Sequence, residues 1–345
     1  HDTITPAYCG MDKVMVIYET QLKRPCLPSL FCCISKSYDT FSYKKRIQSS
    51  VKRLLYDIIT RLSDILGSWI FRIFVWFVAT GYFLFFPARV RTGSYFYKAL
   101  YPDRGKLFNL WCVWKQYHSF AKVFVERFEY SAFNNIDYIS HGEEHLQHAL
   151  LNNRGGVILM SHLGNWEIAA HILKQKYKDL PLLLYMGVKN KEQIESMQKS
   201  SLKESGIQII GVGEGEESPY EIIQGVRFLR SGGFVSMTGD VLWHSGQRSV
   251  EARFLNHSVQ LAEIPHYLAL ISGSPLFVLF SFRVEQGKYI FSVSDPIYLS
   301  GESALEKKQA VQHSVQTYAT LLEQYAREYP FQWYHFKPFL GQRLN

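Results

Sequence analysis

From residue 156 onward the chain alternates short, wholly apolar runs with amphipathic helical windows, and this alternation constrains its fold more than any other feature. The run GVILMS at 156–161 is followed at 165–177 by NWEIAAHILKQKY, where apolar residues recur every three to four positions. Its first residue, Asn165, is a favoured helix N-cap. Runs at 182–186, 208–211 and 234–237 repeat the strand signal, separated by helical windows at 191–204 and 218–230. Strands that are apolar on both faces and joined by helices belong to parallel sheets covered on both sides. Two further runs, 276–284 and 289–293, flank Glu285-Gln286-Gly287-Lys288, a hairpin-type turn. The expected fold is α/β, with a mixed, largely parallel sheet and a last long helix at 303–328, ended by Pro330.

Upstream lies the most apolar stretch, 65–86 (ILGSWIFRIFVWFVATGYFLFF), whose single charge is Arg72. Its length is close to the ~20 residues that a bilayer core requires. The formal charge of +8 is confined to the same part of the chain: residues 1–130 hold 19 Lys+Arg against 9 Asp+Glu, and residues 131–345 hold 19 against 21. Cations beside aromatic side chains and an apolar run fit an anionic lipid surface, and no nucleic-acid partner is expected. Residues 51–66 (VKRLLYDIITRLSDIL) form an amphipathic lead-in. Cations flank the stretch on both sides, so a segment lying within one leaflet, with Arg72 snorkelling, fits as well as a full span. A buried core helix is the alternative. The expected organisation is an unassigned extension at 1–50, a membrane-associated helical region at 51–130 and a catalytic domain at 131–345. The five cysteines all fall in the first third without C-x-x-C spacing, which supports neither a disulfide framework nor a zinc site. The stretch lies deep and has no small-residue cleavage site, so it is not expected to be an ordinary signal peptide.

His162 directly follows the strand run at 156–161, and Gly164-Asn165 opens the helix whose second residue is Glu167. Reactive groups collect beyond the carboxyl ends of strands in open α/β sheets. On one continuous helix, residues five apart point about 140° away from each other, but a strand-turn-helix corner lets the carboxylate fold back onto the imidazole. A carboxylate on one ring nitrogen sets the tautomer and leaves the other nitrogen to take a proton. Asp240 ends another apolar strand and is expected on the same rim. Arg248 and Arg253 follow it, and a guanidinium fork matches phosphate oxygens. A zinc-peptidase reading of His141-Gly142-Glu143-Glu144-His145, with His148, needs both histidines on one helix turn, whereas Ser140-His141-Gly142 reads as a loop. Gly211, Gly213 and Gly215 lack the final spacing of a dinucleotide loop, and Glu214, Glu216 and Glu217 repel a pyrophosphate.

The block GGVILMSHLGNWEIAAHIL resembles the first signature of the lysophospholipid acyltransferase superfamily, whose H-x4-D/E pair is the catalytic dyad. Its Glu form resembles the branch of lipid A late (lauroyl/myristoyl) acyltransferases. Thr238-Gly239-Asp240, then Arg253-Phe254-Leu255, then Leu261-Ala262 resemble that branch's later block: an Asp, a Phe-rich turn and a helix carrying Leu-Ala. YPFQWYHFKPF resembles its closing segment, and the likeness spans about residues 51–339. Val241 stands where the lipid A enzymes usually carry Gln, and residues 186–206 offer only lysines where they carry Arg.

The resemblance implies a glycerolipid acyltransferase-like domain in which His162 is the base and Glu167 orients it. Asn165, Asp240, Arg248 and Arg253 are then expected to contact substrate, with no metal or cofactor. It implies an acyl carrier protein or acyl-CoA donor, a lipid or lipid-like acceptor, and an inner-membrane location with the domain on the cytoplasmic side. The alternatives are a thioester or lipid hydrolase with the same dyad, or a non-catalytic lipid-binding relative.

Overall fold

The computed structural model describes residues 69–129, 136–187, 207–212, 219–242 and 246–344. The expected helices at 51–66 and 191–204, and the loop glycines Gly213 and Gly215, lie outside the described residues. Three helices come first: α1 (Trp69–Phe85), α2 (Pro87–Leu100) and α3 (Lys106–Glu129). Strand β1 (Asp137–His141) and helix α4 (Glu143–Leu151) lead into the alternating part. That part contains β2 (Gly156–Met160), α5 (Trp166–Lys176), β3 (Leu182–Gly187), β4 (Gln208–Val212), α6 (Pro219–Arg230) and β5 (Phe234–Thr238). After it come β6 (Ser249–Phe254), β7 (His257–Ala262), α7 (Ile264–Ser272), β8 (Leu276–Glu285), β9 (Lys288–Val293) and α8 (Ala304–Glu328).

Seven strands form one sheet in the order β1-β9-β8-β2-β5-β3-β4. All neighbours are parallel except the hairpin β8–β9, so the expected mixed, largely parallel sheet is found. The apolar runs are strands because both of their faces are buried. In β2, Val157 and Leu159 pack into a cluster with Tyr318 and Leu322 of α8, while Ile158 and Met160 pack into another with Ile168 and Ile172 of α5. Gly287, at φ +74°, turns the hairpin where the sequence places it.

Two elements differ from expectation. Leu261 and Ala262 were expected on a helix but end β7, which pairs with β6 as a separate antiparallel ribbon, and the helix begins only at Ile264. The ribbon's turn uses Leu255 and Asn256 at φ 48° and 58°. The turn falls where the Phe-rich turn is expected, next to Asn256, but the residues after it pair as a strand instead of opening a helix. The second difference is β1, whose residues Asp137, Ser140 and His141 are exposed at the sheet edge and show no apolar run.

The compact unit runs from Phe71 to Asn345, and so includes α2 and α3 with the sheet. Buried Glu126 of α3 accepts hydrogen bonds from the Nε of Arg283 and from the hydroxyl of Tyr289, the latter at 2.6 Å. Gln116 of α3 donates to the carbonyl of Trp333.

Pro87 starts α2 at a position where its missing N–H costs nothing, and α1 and α2 meet at a bend of 89°. Among the described residues no single helix is long and apolar enough to cross a membrane, and only this bent pair reaches that length jointly. Phe77, Leu84 and Phe85 are each more than 60% exposed, an unusual density of solvent-facing apolar side chains.

Candidate active site

Parallel register builds the site. Met160 of β2 pairs with Thr238 of β5, so the residues two places further on, His162 and Asp240, leave the same rim side by side. Asp240 Oδ1 lies 3.0 Å from His162 Nδ1, and Asp240 Oδ2 accepts from the backbone N–H of His162 at 2.7 Å. The carboxylate side chain is 0% exposed and the imidazole 35%, so one member of the pair is locked inside and the other faces out.

Glycines make this approach possible. Any Cβ on Gly239 meets Leu159 Cδ1 at 2.7 Å and Tyr318 Cε1 at 2.9 Å. Gly164 has φ +82°, and its Cβ would fall 2.4 Å from the carbonyl oxygen of Ser281. That same oxygen accepts from the N–H of Asn165 at 2.7 Å, which pins the turn between β2 and α5. The closing segment adds the third side. Gly164 N–H donates to Gln332 O at 2.9 Å, and Tyr334 N–H donates to His162 O at 2.7 Å. These bonds bring His335 beside His162, with ring centroids 5.9 Å apart and nearly perpendicular.

Burial acts to raise the Asp240 carboxyl, but the His162 charge and the hydrogen bonds from His162 outweigh it, leaving the group below the ordinary carboxylate range. It is therefore ionised at neutral pH. Burial lowers the His335 imidazole below the ordinary histidine range, against the pull of Asp240. Its Nδ1 lies 3.2 Å from the Lys337 carbonyl oxygen, which a neutral ring satisfies by donating from that nitrogen.

His162 and Asp240 share the rim, as expected. The Asp240 carboxylate is fully buried, with one oxygen at His162 Nδ1 and the other on the His162 backbone N–H. Glu167 is buried at the second position of α5, immediately after the turn. Asn165 caps α5, its Oδ1 accepting from Ile168 N–H at 3.3 Å. Arg248 is exposed just before β6. On β6, alternation sends Phe254 inward against Trp333 at 5.2 Å and Arg253 outward, where its guanidinium donates to Asn256 Oδ1 at 2.7 Å.

His335 was not anticipated; the closing motif containing it marks a segment but not which strand end it folds against. His141 ends β1 and His145 lies on α4, 2.9 Å from Asp295, so they do not share the helix turn a zinc peptidase needs.

A histidine held at one nitrogen by a buried carboxylate, and partly open to solvent, is suited to accept a proton from a hydroxyl or amine. No curated protein matches the chain. Residues 112–340 match the family described as bacterial lipid A biosynthesis acyltransferase, a span that runs from α3 through the His162–Asp240 rim to the closing segment. The chain therefore belongs to the bacterial lipid A biosynthesis acyltransferase family, whose members transfer acyl groups in lipid synthesis.

Proposed function

We propose that the protein moves a fatty acyl group from an acyl carrier protein or coenzyme A thioester to a hydroxyl or amine of a lipid or lipid-like acceptor, with His162 as general base. The observation that carries this reading is the His162–Asp240 pair at the carboxyl ends of β2 and β5. Asp240 on Nδ1 holds the tautomer in which Nε2 accepts the acceptor's proton. The deprotonated oxygen or nitrogen attacks the thioester carbonyl, the tetrahedral intermediate expels the thiolate, and the proton on His162 passes to the leaving sulfur. Glu167, buried at the start of α5, is assigned by its H-x4-E spacing from His162 as the second carboxylate, which helps balance the positive charge that develops on the imidazole. No step calls for a metal or a bound cofactor.

Product analysis tests the reading. Incubation of the protein with an acyl thioester and a lipid acceptor is expected to yield acylated acceptor and free thiol in equal amounts, resolved by mass spectrometry. Free fatty acid as the main product identifies a hydrolase instead, and no turnover with any thioester identifies a lipid-binding relative.

Membrane association is part of the proposal. The exposed aromatic face of α1 and its bend of 89° into α2 support a segment that enters one leaflet without crossing it. Because acyl carrier protein and coenzyme A thioesters are cytoplasmic, the domain is placed on the cytoplasmic side of the inner membrane. Flotation with anionic vesicles is the check. The protein is expected to float, and a Phe77→Glu/Phe85→Glu variant to remain at the bottom of the gradient. A wild-type protein that stays with the soluble fraction contradicts the membrane reading.

A further inference from the structure

Near the middle of α8, Tyr318 is fully buried, in the cluster that holds Val157 and Leu159 of β2. Packing asks only for an aromatic ring there, since a buried hydroxyl costs free energy unless it finds a partner. The hydroxyl of Tyr318 finds one at the end of β2, donating to the carbonyl oxygen of Met160 at 3.0 Å. The same oxygen accepts from the backbone N–H of Gly239, also at 3.0 Å. A carbonyl oxygen has two lone pairs, and here one serves the neighbouring strand and the other serves α8.

The position of this junction gives it consequence. Met160 and Thr238 are the last paired residues of β2 and β5, so the ladder itself stops two residues short of His162 and Asp240. Beyond it, the Met160 oxygen with its two donors ties the chain ends together before they reach the rim. The Tyr318 ring contributes as well. A Cβ on Gly239 would fall 3.1 Å from Tyr318 Cζ, so the ring lies close against the backbone that leads into Asp240. On its other side the Gly239 carbonyl oxygen accepts from Ala262 N–H at 3.0 Å.

Burial, and after it the Asp240 charge, push the Tyr318 phenol well above its ordinary range, while hydrogen bonds with Gly239 and Ser161 act the other way. The phenol therefore stays a donor. The ring of His266 from α7 lies 6.1 Å away, but burial pushes this imidazole down to about 3, and its Nδ1 sits 2.7 Å from Ser314 Oγ. It brings no charge to the junction at neutral pH.

We propose that Tyr318 is a positioning residue of the site: its hydroxyl, on the Met160 carbonyl, holds the ends of β2 and β5 in the register that sets His162 Nδ1 against Asp240. Its kinetic consequences rest on the acyl-transfer reading above, but the geometry it fixes is measurable without turnover.

Tyr318→Phe in the full chain tests the proposal, because it keeps the ring and removes only the hydroxyl. NMR titration of the His162 imidazole, identified by its loss in His162→Ala, needs no substrate. Ionised Asp240 favours the imidazolium, so His162 is expected to titrate at higher pH in the wild type than in Asp240→Asn, with Tyr318→Phe between the two. Added to Asp240→Asn, the Phe substitution is expected to shift nothing further, because the pair it supports is already gone. Tyr325→Phe is the control: it lies on the same helix, its hydroxyl is 2.6 Å from Ser292 Oγ two strands across the sheet from β2, and it is expected to titrate as the wild type. A tyrosine that serves only the core would lower the melting temperature in Tyr318→Phe and leave the His162 titration in place. That result overturns the proposal, as does an equal shift in the Asp240→Asn background. In acyl transfer, Tyr318→Phe is expected to lose about 3- to 10-fold in kcat, the range of one buried hydrogen bond, with KM unchanged and the acid limb at lower pH. A loss confined to KM contradicts a positioning role. A shifted titration in a protein that transfers no acyl group keeps Tyr318 in its role and removes the acyltransferase reading.

Discussion

Replacing His162 with Ala is expected to lower the rate of acyl transfer by about 10²-fold or more while the protein stays folded. The magnitude is that of a lost general base. The fold survives because the backbone bonds that stitch this corner, from His162 N–H to Asp240 and from Tyr334 N–H to His162 O, need no imidazole. The buried Asp240 carboxylate does lose its imidazole hydrogen-bond partner, so some destabilisation accompanies the change. His162→Gln restores a hydrogen-bond donor without a useful base and separates the two effects: it is expected to be as inactive as the Ala variant but closer to wild type in melting temperature. A His162→Ala protein within tenfold of wild-type turnover contradicts the mechanism.

The second large effect belongs to Asp240, which sequence reasoning placed on the rim but assigned to substrate. Asp240→Asn keeps the size and an acceptor for the His162 backbone N–H, but it removes the charge and offers an amide to Nδ1, where the carboxylate accepts a proton. The imidazole is then held in the wrong tautomer, and a loss of about 10²- to 10⁴-fold in kcat/KM is expected. The pH dependence of stability has a definite sign. Because the Asp240 carboxyl is held below its ordinary range in the folded protein, its contribution is present above the ordinary carboxylate pKa and is lost as the pH falls through the lowered value. The Asn variant lacks that contribution, so its melting temperature is expected to depend less on pH in the acid range than that of the wild type. Unchanged turnover in Asp240→Asn leaves the carboxylate with a structural role alone.

The sheet was legible because its strands are buried on both faces: a run such as GVILMS carries that information with no partner in view. The helix after it was legible from Asn165, which does cap α5. Register was not legible, and the site depends on it. Only the pairing of Met160 with Thr238 sets His162 against Asp240 rather than a residue to either side, and a sequence without partners cannot supply that pairing. The same register turns the Asp240 carboxylate onto His162, a direction that rim position alone does not give. His335 was hidden by distance along the chain, arriving through the backbone bonds of Gly164 and Tyr334 to a segment some 170 residues away. The turn at 253–255 was legible but the β6–β7 ribbon it closes was not, because Leu261-Ala262 was expected on a helix. Arg253 is expected in a Phe-rich turn, whereas it lies on β6 with its guanidinium on Asn256.

The most direct measurement is the pH dependence of kcat/KM for acyl transfer in the wild type and in Asp240→Asn. Ionised Asp240 favours the imidazolium form of its neighbour, so the acid limb, where the base becomes protonated, sits higher with the carboxylate than without it. Residual activity in Asp240→Asn is predicted to keep its maximum to a lower pH than in the wild type, together with its lower rate. An acid limb at the same pH in both proteins would show that Asp240 does not tune the group that takes the proton, and would contradict the His162–Asp240 pair as the base of this enzyme.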